Sequence, residues 1–444
     1  MKKTGIIGLW HQGVVGAACL AGLGFDVLAA DPNEQTVRRL RAGRPPLFEP
    51  GLEELLRKNL RAGRLRFTAN LQAVVKNRPL VLLMSDTPVD EKDRSDLSGI
   101  FGAARKIAPA LENDSVILVT AQVPVGTCAL LEAEIRKKNP ALRFSLAYSP
   151  ENLQLGRAIE RFLNPPLRVI GADNERAFAR LVPLLSAIGG KWERTSLVTA
   201  EMVKHALNGY LAVSLAFGNE LGNLCDKTGA DGFRLAEILR AEPRIGRKAM
   251  LMPGLGFAGG TLARDMQTLR GLGRRCGVKT PLLNGAWQSN IIQNRMVVLK
   301  LRRALKPLAG RKITVLGLAY KPGTSALRRS LSLEIIAELN RANASVTAHD
   351  PKADRREIAG RADFRFENNP YRAARGADAL LLLTGWKEYK NLDYGRIRKT
   401  MAGDLLIDAN NILNRADLVR AGFRYIGFGR GFDAAQEEST PCRK

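Results

Sequence analysis

Short apolar segments alternate with amphipathic helical stretches through the first third of the chain, and the same alternation resumes near residue 313. Thr4–Leu9, Asp26–Ala30, Leu80–Met84, Ser115–Thr120 and Leu142–Tyr148 read as strands, with helical patterns between most of them. That order of elements is the pattern of a parallel sheet wound with crossover helices. From about Thr199 to Arg240 the apolar residues recur at three- and four-residue spacing, which predicts a long helix. Helical patterns continue to about Leu305. After a basic, Pro- and Gly-containing stretch at Lys306–Lys312, strands are expected at Ile313–Leu318, Ser345–His349, Ala379–Leu383 and Leu405–Ile407.

Gly8-Leu-Trp10-His-Gln-Gly13 follows the first strand and opens the first helix, and Asp31 ends the next strand roughly twenty residues later. This context predicts a dinucleotide site, with phosphates at the helix N-terminus and Asp31 accepting from a ribose hydroxyl. A carboxylate there repels a 2′-phosphate, which favours NAD over NADP. Trp10 occupies the position where a glycine lets the backbone approach the pyrophosphate, and its indole is expected to reshape the turn. Gly16 keeps the helix start slim. The alternative is a nucleotide-free lobe whose glycines serve packing only. The expected fold class is α/β, with two Rossmann-like parallel-sheet lobes joined by a central helical domain with a long helix. Its boundaries are 1–195, 196–305 and 306–444.

At 444 residues the chain exceeds one ordinary core. No apolar run reaches the length of a membrane span. The N-terminus offers a basic start and an apolar stretch, but Trp10, His11, Gln12 and its glycines fit a strand, a turn and a helix start better than a signal peptide. Cys19, Cys128, Cys225, Cys276 and Cys442 form neither a disulfide framework nor a zinc pattern, so no metal and a cytoplasmic location are expected. The formal net charge is +26. A positive field rewards an anionic substrate and cofactor, but Lys and Arg are spread along the chain. No basic tail or aromatic-studded strand points to nucleic acid. A generally basic, solvated surface accounts for most of the excess.

Pro253-Gly-Leu-Gly-Phe-Ala-Gly-Gly-Thr-Leu-Ala-Arg-Asp265 resembles the active-site loop of the UDP-glucose/GDP-mannose dehydrogenase family, which runs roughly G-F-G-G-S-C-F-P-K-D. Gly256, Phe257, Gly259 and Asp265 match in register, whereas Thr261 stands where the family places its nucleophilic cysteine. The family oxidises a sugar alcohol twice, and its cysteine carries the second oxidation as a thioester. A thiol is intrinsically nucleophilic near neutral pH, whereas a hydroxyl needs an adjacent base.

The resemblance extends over nearly the whole chain. Leu47-Phe-Glu-Pro-Gly51 is similar to the family's E-P-G-L segment, and Thr87-Pro88 to its T-P turn on the cofactor side. Val123-Pro-Val-Gly-Thr127 matches its V-P-V-G-T, with Gln122 in place of the preceding threonine. Ser149-Pro-Glu-Asn-Leu153 resembles N-P-E-F-L, which implies that Glu151 handles water or a proton near the reacting carbon and that Leu153 adjoins the substrate. Ala200-Glu-Met-Val-Lys204 and Asn208 match the family's helix. Lys204 and Asn208 lie four residues apart on one helical face, where an ammonium and an amide can stabilise a developing alkoxide. Arg244, in Pro243-Arg-Ile-Gly246, resembles an arginine that reaches substrate in a partner subunit. Gly317-Leu-Ala-Tyr-Lys-Pro322 is close to G-L-A-F-K-P and sets Lys321 near the nucleotide sugar. Thr324, Arg328, Asp350-Pro351, Thr384, Trp386 and Tyr425–Gly431 continue the register, whereas Ser325, Ala326, Arg329 and Asn410 depart from it.

What the resemblance implies is a homodimeric, NAD-dependent dehydrogenase of a nucleotide sugar, with a UDP-sugar favoured. The catalytic set is Glu151, Lys204, Asn208, Thr261 and Asp265. Gly8, Trp10, Gly13, Asp31, Thr87 and Gln122 take the cofactor, and Leu153, Arg244, Phe257, Gly259 and Lys321 take the substrate. Without a thiol the reaction stops at the aldehyde, or Glu151 or Asp265 acts as base on the hydrated aldehyde. The competing reading is a non-catalytic relative that binds a nucleotide sugar or pairs with an active subunit.

Overall fold

A computed structural model describes residues 2–431 apart from Val89, 91–94, 151–152, 259–260, Ala326, Arg328, 354–357 and 359–362. The polar tail at 437–444, expected to fray, lies outside the described residues, as do the expected site residues Glu151 and Gly259. The chain divides into two compact units, Met1–Leu207 and Asn208–Lys444. Each holds one doubly wound sheet, and helices fill the region between the two sheets in sequence, as the alternation predicts.

The first unit is built on strands β1 (Lys3–Ile7), β2 (Asp26–Ala30), β3 (Leu65–Thr68), β4 (Leu80–Leu83), β5 (Ser115–Val119), β6 (Phe144–Tyr148), β7 (Val169–Ala172) and β8 (Glu193–Thr195). Their order is β3-β2-β1-β4-β5-β6-β7-β8. Pairing is parallel except between β6 and β7, which run antiparallel through Ala147 with Ala172 and Tyr148 with Gly171. β4, β5 and β6 are buried along their whole length, because helices cover both faces of the sheet. The two-residue period then divides their side chains between two cores. Ile6, Leu82, Leu118 and Ala147 enter one, and Ile7, Leu83, Val119 and Tyr148 enter the other.

The second unit repeats the plan with β9 (Lys312–Leu316), β10 (Ser345–His349), β11 (Arg365–Phe366), β12 (Ala379–Leu382), β13 (Leu405–Asp408) and β14 (Arg424–Ile426). The order is β11-β10-β9-β12-β13-β14, parallel throughout. In both sheets the strand order reverses beside the first strand, between β1 and β4 and between β9 and β12. A crevice at the carboxyl ends of the strands forms at such a point.

The long helix expected from Thr199 to Arg240 is two helices, Leu197–Thr228 and Gly232–Ala241. The break falls at Gly229-Ala-Asp231, where the Asp231 carboxylate accepts from the amides of Phe233 and Arg234 and so starts a new helix. The 32-residue helix begins in the first unit and ends in the second. Within the second unit its Asp226 forms a buried ion pair with Lys300 at 2.7 Å. The other carboxylate oxygen of Asp226 accepts from the amide of Arg430 at 2.9 Å. Removing one partner leaves a buried charge uncompensated. Lys300→Met is therefore expected to lower stability in urea denaturation by about 3–5 kcal/mol; a loss below about 1 kcal/mol, the range of an exposed pair, would refute this account.

Candidate active site

In the first unit the turn after β1 is held by a carboxylate from the end of the next strand. Asp31 Oδ2 accepts from the Leu9 amide at 3.0 Å, and Oδ1 from the Asn33 amide at 2.9 Å. Gly8 adopts φ +95°, with its Cα face against the backbone of Ser85. Gly13 packs so closely on Gly8 that a Cβ would lie 1.7 Å from the Gly8 carbonyl oxygen. Trp10 precedes the helix His11–Gly22 with φ −84° and ψ −162°, an extended backbone open to any residue. The backbone at this position does not demand glycine. Trp10 is 48% exposed. A dinucleotide fits this arrangement. The first turn of a 12-residue helix opens beside Asp31, whose half-buried oxygens each keep acceptor capacity for a ribose hydroxyl.

Thr87 and Gln122 follow β4 and β5 at the same end of the sheet, both buried, and the Thr87 hydroxyl donates to the Gln122 carbonyl at 2.8 Å. Gln12 donates its amide to the Thr120 hydroxyl at 2.9 Å. The next loop is fixed by Glu201, matched within Ala200–Lys204 but given no role there, and by His205, which the sequence did not single out. Glu201 accepts from the amides of Gly126 and Cys128 at 2.7 and 2.8 Å, capping the helix Thr127–Lys138. His205 bonds the Val123 carbonyl at 2.8 Å. A buried Glu and His inside an apolar helical pattern were the available signal. Leu153 lines a largely apolar cavity of about 80 Å³ together with Met84, Leu118, Phe162 and Trp192. Lys204 is half-buried on the long helix, one turn before Asn208.

In the second unit Asp265 is fully buried and accepts from the Asn208 amide. Thr261 occupies the position just before the helix Leu262–Arg275 that carries Asp265, and makes no side-chain cap bond. Its side chain is exposed, and among the described residues no side chain bonds its hydroxyl. The loop before it is fastened by amide side chains. Asn219 accepts from the Gly254 amide at 2.9 Å, Gln293 donates to the Gly254 carbonyl at 2.6 Å, and Asn411 donates to the Pro253 carbonyl at 3.0 Å. Asn290 both accepts from and donates to the backbone of Phe257, at 2.6 and 2.9 Å. The Phe257 ring is buried against Trp287, so this expected substrate residue offers no ring face to a ligand.

A cavity of about 310 Å³ lies between this loop and the carboxyl ends of β9 and β12. Lys321 lines it, with its ammonium 5.5 Å from the Tyr320 ring centre, and so do Ser332 and Asn410. Arg244 is exposed and bonded to Glu242 at 2.8 Å. Arg328 lies outside the described residues.

No buried cysteine has the character of the missing nucleophile. Burial pushes the Cys19 thiol up to about 12, and raises those of Cys128 and Cys225 as well; Glu201 adds to the effect at Cys128. Cys276 is exposed, and Cys442 lies outside the described residues. Among the described residues no cluster of His, Cys, Asp and Glu could hold a metal ion, and no helix is long and apolar enough to cross a membrane.

A dinucleotide turn in one lobe, a clamped loop ending in a buried Asn–Asp pair, and a second lobe with a cavity above its sheet define a dehydrogenase-like molecule. Three domain models of one family match in chain order: the NAD binding domain over residues 2–188, the central domain over 198–291 and the UDP binding domain over 314–415. The chain belongs to the UDP-glucose/GDP-mannose dehydrogenase family, as its motifs led us to expect. It is 35% identical over 440 residues to the UDP-glucose 6-dehydrogenase of Rhizobium meliloti (strain 1021), covering 97% of this chain and 100% of that protein. To the UDP-glucose 6-dehydrogenase TuaD of Bacillus subtilis (strain 168) it is 32% identical over 433 residues, covering 97% and 94%. The solved structure of a UDP-glucose dehydrogenase from Pyrobaculum islandicum superposes with a TM-score of 0.85 at 32% identity, covering 92% of this chain and 94% of that one.

Thr261 stands where the family has its cysteine, so alkylation is expected to be harmless. Iodoacetamide at pH 8 is expected to modify Cys276, to spare Cys19, Cys128 and Cys225 in the folded protein, and to leave turnover unchanged. Inactivation that NAD and a nucleotide sugar prevent would place a cysteine in the chemistry.

Proposed function

We propose that the chain oxidises the C6 hydroxyl of a nucleotide sugar, UDP-glucose or a close analogue, with NAD as the oxidant and without a cysteine thioester. The observation that carries this reading is the succession of NAD-binding, central and UDP-binding domains along one chain. We divide it as 1–195 for the cofactor, 196–305 for the active-site and dimer region, and 306–444 for the nucleotide sugar. NAD, when bound, takes the hydride from C6.

The chain's own residues manage the proton and the charge. Lys204 and Asn208 stabilise the alkoxide as the C6 hydroxyl loses its proton. Asn208 commits one N–H to Asp265, which orients its amide and leaves the second N–H for the substrate oxygen. Lys321 holds the diphosphate side of the nucleotide sugar; Leu153 and the backbone of Phe257 and Gly259 border the sugar. Gly8, Trp10, Gly13, Asp31, Thr87 and Gln122 surround the cofactor. The first oxidation removes two electrons and yields an aldehyde. The uronate requires a second equivalent of NAD and water, with Glu151 or Asp265 taking a proton from the hydrated aldehyde. Among the described residues no base bonds the Thr261 hydroxyl, which argues against a covalent ester at that position.

We also propose a homodimer. Tyr210, Phe217 and Leu224 are exposed on the long helix at seven-residue spacing, an apolar stripe that a second copy of the helix would cover. Arg244, paired with its neighbour Glu242 in the single chain, would then be free to reach substrate in the partner subunit. The compartment we propose is the cytoplasm, in keeping with the described cysteines, Cys19, Cys128, Cys225 and Cys276, which are unpaired.

Incubation with NAD and a panel of nucleotide sugars, with products identified by mass spectrometry, tests the function. One NADH per sugar with an aldehyde, or two with a uronate, is the expected result; no NADH with any sugar would favour the binding-only relative. Thr261→Cys is expected to speed uronate formation at least about tenfold, since a thiolate is the better nucleophile; no gain would show that the loop around it no longer supports a thioester. Lys204→Ala should lower kcat by about 10²–10³-fold, the scale of losing one charge-stabilising donor, with the melting temperature unchanged. A near-normal rate would remove Lys204 from the site.

A further inference from the structure

Glu49 stands in the turn before the helix Leu52–Arg61, and its side chain is only 1% exposed. It reaches two segments distant in sequence. Oε2 accepts from His11 Nε2 at 3.1 Å and from the Gly156 amide at 3.1 Å, while Oε1 accepts from the Ala158 amide at 2.7 Å. His11 is the first residue of the helix that opens the dinucleotide turn. Ala158 is the first residue of the helix Ala158–Leu163. The local cap of that helix, Arg157, makes no side-chain cap bond, and its guanidinium pairs with Glu160. Glu49 therefore replaces the missing cap from more than a hundred residues away.

Three donors converge on two oxygens, and this sets the chemistry of the position. A carboxylate offers acceptors only, whereas a glutamine of the same shape must turn its NH₂ towards His11 and Gly156 or towards Ala158. Either orientation sets donor against donor in a buried site. The carboxylate also fixes His11 with a proton on Nε2, so the ring cannot swing towards the turn without giving up this bond. Segment 156–158 follows directly on Ser149–Leu153, so the tie runs from the cofactor turn to the stretch that carries Leu153.

We propose that Glu49 is a positioning residue for the cofactor. Through His11 it holds the first turn of the dinucleotide helix in register with segment 156–163, and cofactor binding and the order of that segment are energetically linked. The proposal rests on the reading of the first lobe as NAD-binding. By reciprocity, whatever Glu49 contributes to NAD affinity, NAD returns to the bonds that Glu49 makes.

The test uses the full-length protein and NAD alone. Calorimetric titration of the wild type, Glu49→Gln and His11→Phe is combined with hydrogen exchange of residues 156–163, with and without NAD. Both variants are expected to bind NAD about tenfold more weakly, a change of about 1.4 kcal/mol. NAD should slow exchange at 156–163 in the wild type and fail to do so in either variant. A purely structural role would lower the melting temperature of Glu49→Gln while leaving NAD affinity at 20 °C intact, and that result overturns the proposal. So does a wild type that binds NAD with no change in exchange at 156–163. Should Glu49→Gln not fold, His11→Phe decides by the same two readouts. A wild type that does not bind NAD would overturn the reading of the lobe, and this proposal with it.

Discussion

Wherever this chain leaves a sheet or a helix, its buried amides and carbonyls need partners, and polar side chains from distant positions provide them. An unpaired buried backbone group costs roughly 1–3 kcal/mol, so loops that approach a ligand are stable only where such partners exist. In the first unit carboxylates hold several of these amides. Asp31 holds Leu9 and Asn33, Glu201 holds Gly126 and Cys128, and Glu49 holds Gly156 and Ala158. In the second unit, amides do the same for Pro253–Phe257, with Asn219, Asn290, Gln293 and Asn411 each bonded to loop backbone. An amide can serve a carbonyl and an N–H at once, as Asn290 does. This suits a loop that must present both kinds of group in one short run.

The two sheets share a turn but not its chemistry. Gly8 and Gly317 both turn with positive φ, +95° and +99°, and a carboxylate ends the next strand in each case. Asp350 Oδ2 accepts from the Leu318 and Ala319 amides and from the Trp386 indole, and Oδ1 from the Lys352 and Ala353 amides. Five donors leave little acceptor capacity on a buried carboxylate. Asp31 takes one bond on each oxygen and remains half-buried. One fold thus yields a carboxylate with acceptor capacity to spare in the first lobe and a locked turn in the second. In the second lobe the polar groups of Lys321, Ser332 and Asn410 line the cavity instead.

The strong periodic signals were legible in the sequence. Buried strands such as β4 and β5 are continuous apolar runs, and Gly8, Gly13 and Asp31 announce their turn. Harder to read were strands whose identity comes from their neighbours. Glu193–Thr195 and Arg365–Phe366 are short edge segments with exposed charged residues, and β7 turns antiparallel after a short helix rather than a full crossover. The break at Gly229 was hidden because helical spacing resumes in phase after Asp231. The anchoring side chains were hidden for a related reason. Asn219, Asn290 and Gln293 sit inside helical patterns, where a polar residue reads as solvent-facing until the loop it bonds is known.

The replacement at Thr261 follows from the same economy of partners. A cap position at a helix N-terminus favours the ionised form of a side chain held there, because the helix dipole and free amides stabilise negative charge. A thiol can exploit that field at neutral pH. A hydroxyl cannot, since its proton is lost only to a neighbouring base, and the carboxylate one turn along at Asp265 is buried and already engaged by Asn208. The loop, the cap and the Asn–Asp pair nonetheless persist around Thr261, all fastened by buried side chains. What that scaffold keeps is a buried amide, Asn208, oriented by Asp265, and an oriented N–H can meet an oxygen that gains negative charge without any thiol beside it.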